Sequence, residues 1–408
     1  MKCRHCHTPL TLPLVDLATS PPSNAYLRTD QLDSPERWYP LRVLVCEHCW
    51  LVQTEDFTQA DQLFDADYAY FSSFSDAWLK HAQAYVTTMI DRFGLSAAHR
   101  VVEVASNDGY LLQYVQAAGI PCYGIEPTAS TAAAARARGI ESIERFFGTT
   151  LADELVAQGR QADLIAANNV LAHVPDINDF VAGFARLLSP AGVATFEFPH
   201  LLKLLEHCQF DTIYHEHFSY LSLTAVARIF EANGLQVFDV EEWPTHGGSL
   251  RVFAQRAGGP HDVSPAVTAM LARETQAGLT QRDTYHSFQA RAEAIKNAFV
   301  GFLLECKARG ERVAAYGAAA KGNTLINFAG IRADLLAYVV DRNPAKQGKF
   351  LPGSRIPIVS PEHLIADQPA WIVILPWNLR DEVIGQMAEA RQWGARFVTA
   401  IPELTVHA

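Results

Sequence analysis

The sequence predicts an α/β protein with a small N-terminal zinc-binding domain followed by two doubly wound, Rossmann-like domains. Three observations predict it. Two Cys-x-x-Cys pairs, Cys3/Cys6 and Cys46/Cys49, lie within the first 66 residues. Strand-like and helix-like segments alternate from residue 101 to residue 255, the pattern of a parallel sheet covered by helices. The alternation returns between residues 312 and 400, after a long helical stretch. The expected domains are therefore 1–66, 67–257 and 258–408.

Composition narrows the class. The chain has 408 residues, 49% of them hydrophobic, enough for several cores. No apolar run is long enough to span a bilayer, and Met1 to Cys6 contain no apolar signal region. A cytoplasmic location and no membrane partner are expected. The net charge of −11 argues against nucleic-acid binding by a basic surface, but allows an anionic small molecule in a local basic pocket. Seven cysteines, unevenly spread, argue against a disulfide framework.

Taking the elements in order, each Cys-x-x-Cys pair can grip one metal ion from a tight turn, and two such turns complete a tetrahedral site. Cys3, Cys6, Cys46 and Cys49 are the expected ligands of a structural zinc ion. His5, His7 and His48 are expected to be neighbours, because four thiolates close the shell. A closed site leaves no position for catalysis, so this ion holds the fold. The pairs lie some forty residues apart, longer than a compact ribbon needs. The intervening loop, with its turn-rich stretch 19–24 (Thr-Ser-Pro-Pro-Ser-Asn), must carry structure of its own.

In the middle region, strands are expected at Val101–Ala105, Cys122–Glu126, Asp163–Asn168 and Gly192–Phe198. Two more, Leu235–Trp243 and Ser249–Gln255, are separated by residues 244–248. That gap is too short for a helical crossover, so these two pair antiparallel. The first strand runs into a small-residue turn, 105–109 (Ala-Ser-Asn-Asp-Gly), and then a helix at Tyr110–Ala117. Unpaired N–H groups at a helix start suit an anion, and Glu126, ending the second strand, can accept ribose hydroxyls. The GxGxxG motif of dinucleotide sites is absent. The turn fits better the acidic loop of S-adenosylmethionine (SAM) enzymes, with Glu103 and Asp108 facing a cationic amino group and Ser106, Asn107 and Gly109 around it. An ordinary buried strand–turn–helix is the plain alternative. Asn168 and His173 follow the strand at Asp163 and are candidates to line the pocket, although a satisfied, partly buried histidine is an equal reading of His173.

Tyr214, His215, Glu216 and His217 form a dense run of proton-transfer groups. Such a run is either a solvated loop or a working site. Two details favour a site. It lies beyond the carboxyl end of a sheet strand, where doubly wound folds place ligands, and Phe210, Ile213, Phe218 and Tyr220 flank it.

Residues Ser264–Arg309 read as helix, with Phe288, Ile295, Phe299 and Phe302 at helical spacing. They predict a packing seam between domains. The last unit is expected to contain a strand at Arg312–Tyr316, a Gly/Ala-rich turn, a helix at Lys321–Phe328 and a strand at Leu335–Asp341. Trp371–Pro376, a helix over Arg380–Trp393 and Arg396–Ala400 complete it. Small residues in the turn let backbone N–H groups approach an anion, Lys321 in the loop adds charge, and Asp341 takes the ribose position. A nicotinamide cofactor and a nucleotide diphosphate compete for this site, and structural closure of a small sheet is the third reading. Lys321 and the basic run 342–349 favour a diphosphate, with Asn323 and Asn378 as further polar contacts.

Several stretches, in order, carry a resemblance: both Cys-x-x-Cys pairs; 68–73 (Tyr-Ala-Tyr-Phe-Ser-Ser); Glu103 with 106–109; Glu126-Pro127; 168–174; 214–220; 245–251; and 316–323. Over nearly its whole length the chain resembles the SAM-dependent sugar C-methyltransferases of bacterial deoxysugar pathways. The resemblance implies a central class I SAM methyltransferase domain with an antiparallel final strand. It also implies SAM and structural Zn2+ as cofactors, and a C-terminal domain that helps hold a nucleotide-linked 4-keto sugar, with dTDP the expected carrier. The methylated atom is then carbon 3. The family's active-site residues carry over to Tyr68, His173, Tyr214, Glu216 and His217.

The chemistry is consistent with those residue types. A ketone at carbon 4 acidifies the proton on carbon 3, so the site needs a base and an oxyanion donor. His217 is the expected base, since an imidazole near neutral pKa suits that role. Tyr214 is the expected donor, Glu216 supports, and Tyr68 borders the methyl-transfer space. His215 faces away if the segment is extended. A monomer is expected. The competing readings are an NAD(P)-dependent nucleotide-sugar oxidoreductase, against which the absent GxGxxG speaks, and a non-catalytic zinc-ribbon regulator that binds a nucleotide.

Overall fold

In the computed structural model, which describes residues 1–57 and 71–407, the N-terminal part forms an antiparallel sheet. Strands β1 (Leu12–Ser20), β2 (Tyr39–Val45) and β3 (Val52–Thr54) pair in sequence, and β9 (Ser219–Tyr220) adds to the open side of β3. The fourth strand therefore comes from the middle of the chain, directly after the 214–217 run. Its pairing, Val52 with Tyr220 and Gln53 with Ser219, ties the zinc-binding part to the polar cluster.

The central sheet holds β4 (Val101–Val104), β5 (Cys122–Ile125), β6 (Ser142–Ile143), β7 (Ala162–Asn168), β8 (Leu188–Pro199), β10 (Leu235–Trp243) and β11 (Ser249–Arg256). Its order is β10-β11-β8-β7-β4-β5-β6. All neighbours are parallel except β11, which is antiparallel to both β8 and β10. The inserted antiparallel strand follows from the short 244–248 connection. The strand order reverses at β4, so a crevice opens at its carboxyl end, beside β5 and β7.

The third sheet has the order β14-β13-β12-β15-β16-β17, with β12 (Val313–Tyr316), β13 (Val339–Val340), β14 (Ile358–Val359), β15 (Trp371–Ile374), β16 (Arg396–Thr399) and β17 (Thr405–His407). Only β17 is antiparallel. Its switch point is at β12. The expected strand at Leu335–Asp341 shrinks to Val339–Val340, because Leu335 and Leu336 donate their N–H groups to Arg332 in a turn.

The helical stretch before this sheet is broken. Pro265–Gln276, Asp283–His286 and Phe288–Ala308 are separate helices, because Gly278 takes a left-handed φ of 80° and ends the first. Phe288, Phe299 and Phe302 of the long helix are buried in one core with Leu14 and Leu17 of β1 and Val313 and Val373 of the third sheet. They form the seam. The segment Arg380–Trp393 likewise divides, into an α-helix over Arg380–Gln386 and a 3-10 helix over Ala388–Trp393. No helix among the described residues is long and apolar enough to cross a membrane.

Candidate active site

The two cysteine turns are built alike. Cys3 N–H donates to Thr8 O and His7 N–H to Cys3 O; Cys46 N–H donates to Leu51 O and Trp50 N–H to Cys46 O. His7 and Trp50 both take left-handed φ values, 60° and 64°. The four Sγ atoms lie within 4.8 Å of one another, with Cys3–Cys49 and Cys6–Cys46 at 3.5 Å. A tetrahedron of thiolates at ~2.3 Å from zinc has edges of ~3.8 Å, so the donor set fits the ion. Gln53 is fully buried and donates from Nε2 to Cys3 Sγ at 3.3 Å, an outer-shell bond that orients a ligand. Among the described residues no other such cluster of metal-binding groups is present.

At the carboxyl end of β4 the chain turns sharply, with left-handed φ at Ala105 (59°), Asn107 (49°) and Gly109 (78°). A Cβ on Gly109 would meet Ile140 Cδ1 at 2.5 Å. Asn107 N–H donates to Glu126 Oε2 and Thr128 N–H to Glu126 Oε1, each at 2.9 Å. Glu126 is the residue expected to hold ribose hydroxyls; the structure also gives both its oxygens backbone donors, with the Thr128 and Thr131 side chains close by. Asp108 accepts from Ser73 Oγ and pairs with Arg138 at 3.4 Å, while its Oδ1 has no hydrogen-bond partner among the described residues. Neither does Ser106 Oγ, while the Tyr110 hydroxyl stands against both the fully buried Glu103 carboxyl and Asn168. Burial pushes the Glu103 carboxyl well above its usual range. Two carboxyls, a hydroxyl and an amide served by so few donors among the described residues would be costly in a closed core. They suit the ammonium and hydroxyl donors of SAM, and the donor set fits that cofactor.

The polar run 214–217 is buried and bent. His217 N–H donates to Tyr214 O at 2.9 Å, so residues 214 and 217 close a turn, and the expectation of an extended segment is corrected. The turn brings the Tyr214 and His217 rings to 4.0 Å. The His173 ring stands 4.6 Å from that of His217. His215 turns the other way, donating from Nε2 to Pro40 O at 3.2 Å beside Tyr39. Thr54 Oγ1 donates to His217 O, and Phe218 N–H to Ala172 O, so β3 and the segment after β7 hold the turn from both sides. His217 Nδ1 lies 2.7 Å from Thr212 O. A carbonyl only accepts, so Nδ1 carries the proton and Nε2 keeps its lone pair. The expected near-neutral pKa of His217 is also corrected. Burial first, then His173, push it well below the usual imidazole value. The same desolvation sets His173 at about 4. Both rings are neutral at pH 7.

The second α/β unit reaches this turn. Its helix Ala320–Phe328 places Lys321 on the first helical turn, not in the loop. Lys321 Nζ donates to Asn378 Oδ1 at 3.0 Å, approaches His246 O at 3.5 Å and sits 4.8 Å from the Trp377 ring centroid. One turn on, Thr324 Oγ1 donates to Ile213 O at 2.9 Å. Between them Asn323 is fully buried, and neither atom of its amide has a partner among the described residues. Asp341 accepts from Ala318 N–H and Asn343 N–H. Tyr68 lies outside the described residues.

Sequence reasoning missed three groups. His246, with a left-handed φ of 55°, meets Asn169 Nδ2 through Nε2 at 3.0 Å and is pushed to about 4 by burial. Its clue is its place in the 245–251 stretch. Glu197 is clamped by His81 at 2.9 Å and Arg251 at 2.7 Å. An Arg inside an otherwise apolar strand, Leu250 to Phe253, is the available signal. Asn24, which touches Glu216, reads in the sequence only as part of a turn.

Comparison with known proteins gives three consecutive family matches: a zinc binding domain over residues 3–64, a methyltransferase domain over 78–240 and a C-methyltransferase C-terminal domain over 244–402. C-methyltransferase NovU from Streptomyces niveus is 36% identical over 402 residues, covering 98% of this chain and 96% of NovU. Among solved structures, magnesium protoporphyrin IX methyltransferase from Synechocystis PCC 6803 with bound SAM aligns over 44% of this chain and 79% of its own, at 16% identity and TM-score 0.33. The PH0226 protein from Pyrococcus horikoshii OT3 aligns over 49% of this chain and all of its own, at 13% identity and TM-score 0.37. Overlaps this weak add nothing to what the strand order already establishes.

Proposed function

The chain belongs to the C-methyltransferase family, a zinc-binding, SAM-dependent enzyme, and from that premise we propose that it methylates carbon 3 of a nucleotide-linked 4-keto deoxysugar carried on dTDP. In this reading residues 1–66 are the zinc-binding domain, 67–257 the methyltransferase domain and 258–408 a domain that helps bind the nucleotide sugar. The observation that carries the reading is the tautomer of His217: with Nδ1–H committed to Thr212 O, Nε2 is left as a buried, unprotonated acceptor beside Tyr214.

Bound SAM supplies an electrophilic methyl group on a sulfonium. Glu103, Ser106, Asn107, Asp108, Gly109, Glu126 and Asn168 hold it at the first switch point. His217 Nε2 takes the proton from carbon 3, and the C–H electron pair delocalises onto the oxygen at carbon 4. Tyr214 donates to that oxygen, a contribution of about 2–4 kcal/mol for a well-aimed donor. That electron pair would then form the new carbon–carbon bond to the methyl carbon as the methyl–sulfur bond breaks, with its electrons returning to sulfur to leave a neutral thioether and the proton staying on His217. His173 packs against the His217 ring and keeps it in place. Glu216 supports the turn, and Tyr68 borders the site by resemblance. Lys321, Asn323, Asp341 and Asn378 bind the nucleotide end. A neutral, desolvated imidazole is a base without needing to lose a proton first, which compensates in part for its low pKa.

Incubation with SAM and a dTDP-linked 4-keto deoxysugar should give a product heavier by one methyl group. Without SAM, solvent deuterium should enter at carbon 3. Absence of both across several such sugars would overturn the reading.

A further inference from the structure

The loop between the two cysteine pairs reaches the candidate active site. After β1 the chain passes through Pro21 and Pro22, and Asn24 Nδ2 donates to Glu216 Oε1 at 3.2 Å. The carboxylate only accepts, so the amide is oriented with its oxygen outward. That oxygen faces the Tyr26 hydroxyl at 3.4 Å, and the same hydroxyl donates to Ala318 O at 2.6 Å. Ala318 lies in the Gly/Ala turn of the third sheet. Lys346 Nζ donates to the same carbonyl at 2.8 Å and lies 5.3 Å from the Tyr26 ring centroid. Beyond Tyr26 the loop is fastened to the C-terminal unit. Leu27 and Phe350 exchange backbone hydrogen bonds, Gly353 N–H donates to Glu36 Oε1, and Arg355 pairs with Glu36.

Glu216 is 1% exposed. Its Oε1 is held by Asn24, and its Oε2 has no hydrogen-bond partner among the described residues. Its own backbone N–H and that of Asn24 also stabilise the carboxyl, so Asn24 supplies the one side-chain donor, and a buried carboxyl depends on such donors for its direction and its charge.

We infer that Asn24 is a positioning residue, whose amide fixes Glu216 Oε1 and leaves Oε2 presented to the reaction site, with Tyr26 keying Asn24 to the nucleotide-side turn at Ala318. The inference rests on the enolate-forming reading of the site. It also accounts for the long spacing between the cysteine pairs, since the zinc-anchored loop delivers one amide to the catalytic turn. The titratable groups facing the Glu216 carboxyl are Tyr26 and Tyr220, while His173 meets the Glu216 backbone. The nearby cation Lys346 is engaged by Ala318 O and lies 3.6 Å from Asp341. Burial raises the Glu216 carboxyl, and its hydrogen bonds, Asn24's among them, lower it.

The test uses the full-length, zinc-loaded protein with 13C-labelled glutamate side chains, the Glu216 signal being assigned by its loss in Glu216→Gln. In Asn24→Ala the Glu216 titration midpoint should move upward, and in the isosteric Asn24→Asp further still, because a like charge replaces a donor. Methyl-transfer kcat should fall about 10- to 100-fold in both, with the Kd values for SAM and nucleotide sugar within about twofold of wild type. Tyr26→Phe should lower kcat about 3- to 10-fold with the same unchanged affinities. An unmoved Glu216 midpoint in Asn24→Asp would overturn the inference, as would a loss confined to KM. Failure of the wild-type chain to exchange deuterium at carbon 3 would count against the enolate reading instead, and the Glu216 titration would still decide whether Asn24 governs this carboxyl.

Discussion

The two doubly wound units use the same device at their switch points and line it with opposite charge. In the central sheet Glu126 accepts N–H groups from Asn107, across the first turn, and from Thr128, two residues on. In the third sheet Asp341 accepts N–H groups from Ala318, across the first turn, and from Asn343, two residues on. The acid closes the turn in each. The surroundings differ. The first turn faces Glu103 and Asp108, the latter with Oδ1 unpartnered among the described residues; the second has Lys321 and Lys346 beside it. In the proposed reading, one backbone solution therefore serves a cationic cofactor in one unit and an anionic nucleotide in the other. The 214–217 turn sits between them, and its neutral histidines carry neither charge.

This contrast is open to experiment. The largest effect is expected at the turn between the units. His217→Asn keeps a donor at the ring position but removes the basic lone pair, and should slow deuterium exchange at carbon 3 by about 10²–10⁴-fold. Retention of full exchange would assign the base elsewhere.

Next come the two charge sets. Glu103→Gln should weaken SAM binding about 10- to 100-fold, with dTDP binding unchanged; Lys321→Met should do the converse. These are the sizes of a lost hydrogen bond to a charged group. Calorimetric titration of each ligand separates them, and a crossed result would end the contrast between the two turns.

The seam between the units offers a third test. A Cβ on Gly247 would lie 2.2 Å from Trp377, and Gly247 has a φ of 90°. Gly247→Ala should destabilise the protein by about 1–3 kcal/mol, read as a lower melting temperature.

The smallest effect is the pH dependence of stability. His173 and His246 sit at about 4 in the folded chain, against about 6.5 when unfolded. The unfolded state therefore binds more protons between those values, and stability falls as pH drops from about 6.5 towards 4. Asp211, raised to about 6 by burial, opposes this, since the folded state holds its proton longer. His217 is lowered as well, and Glu103 and Glu216 are raised, so one histidine's share is read by difference: relative to wild type, the melting temperature of His246→Asn should rise as pH drops from 7 to 5. A difference that stays flat over that interval would show that His246 is not buried neutral.

Much of this was legible in the chain. Cysteine spacing, strand–helix alternation and the five-residue connection before Ser249 pointed to the zinc site, both sheets and the antiparallel strand, because each depends on local period and loop length. The 214–217 turn was legible as a cluster but not as a shape. His215 was expected to face away, yet strict alternation would put His215 and His217 on one face; the turn closed by the backbone hydrogen bond from His217 to Tyr214 is what separates them. The near-neutral pKa expected for His217 failed because desolvation is a property of surroundings, not of residue type.

Local order along the chain dictates the inventory: four thiolates at zinc spacing, acids at the ends of second strands, small residues where backbone approaches ligand, and the residues of the proton-transfer cluster. These are set by covalent connectivity within a few residues. Packing alone decides the tautomer of His217, the burial that neutralises three histidines, the addition of Ser219–Tyr220 to the zinc-bearing sheet, and the meeting of Asn24 with Glu216 across 192 residues of chain. Those contacts join segments that no periodicity relates, and they exist only because closing the seam brings three sheets onto one turn.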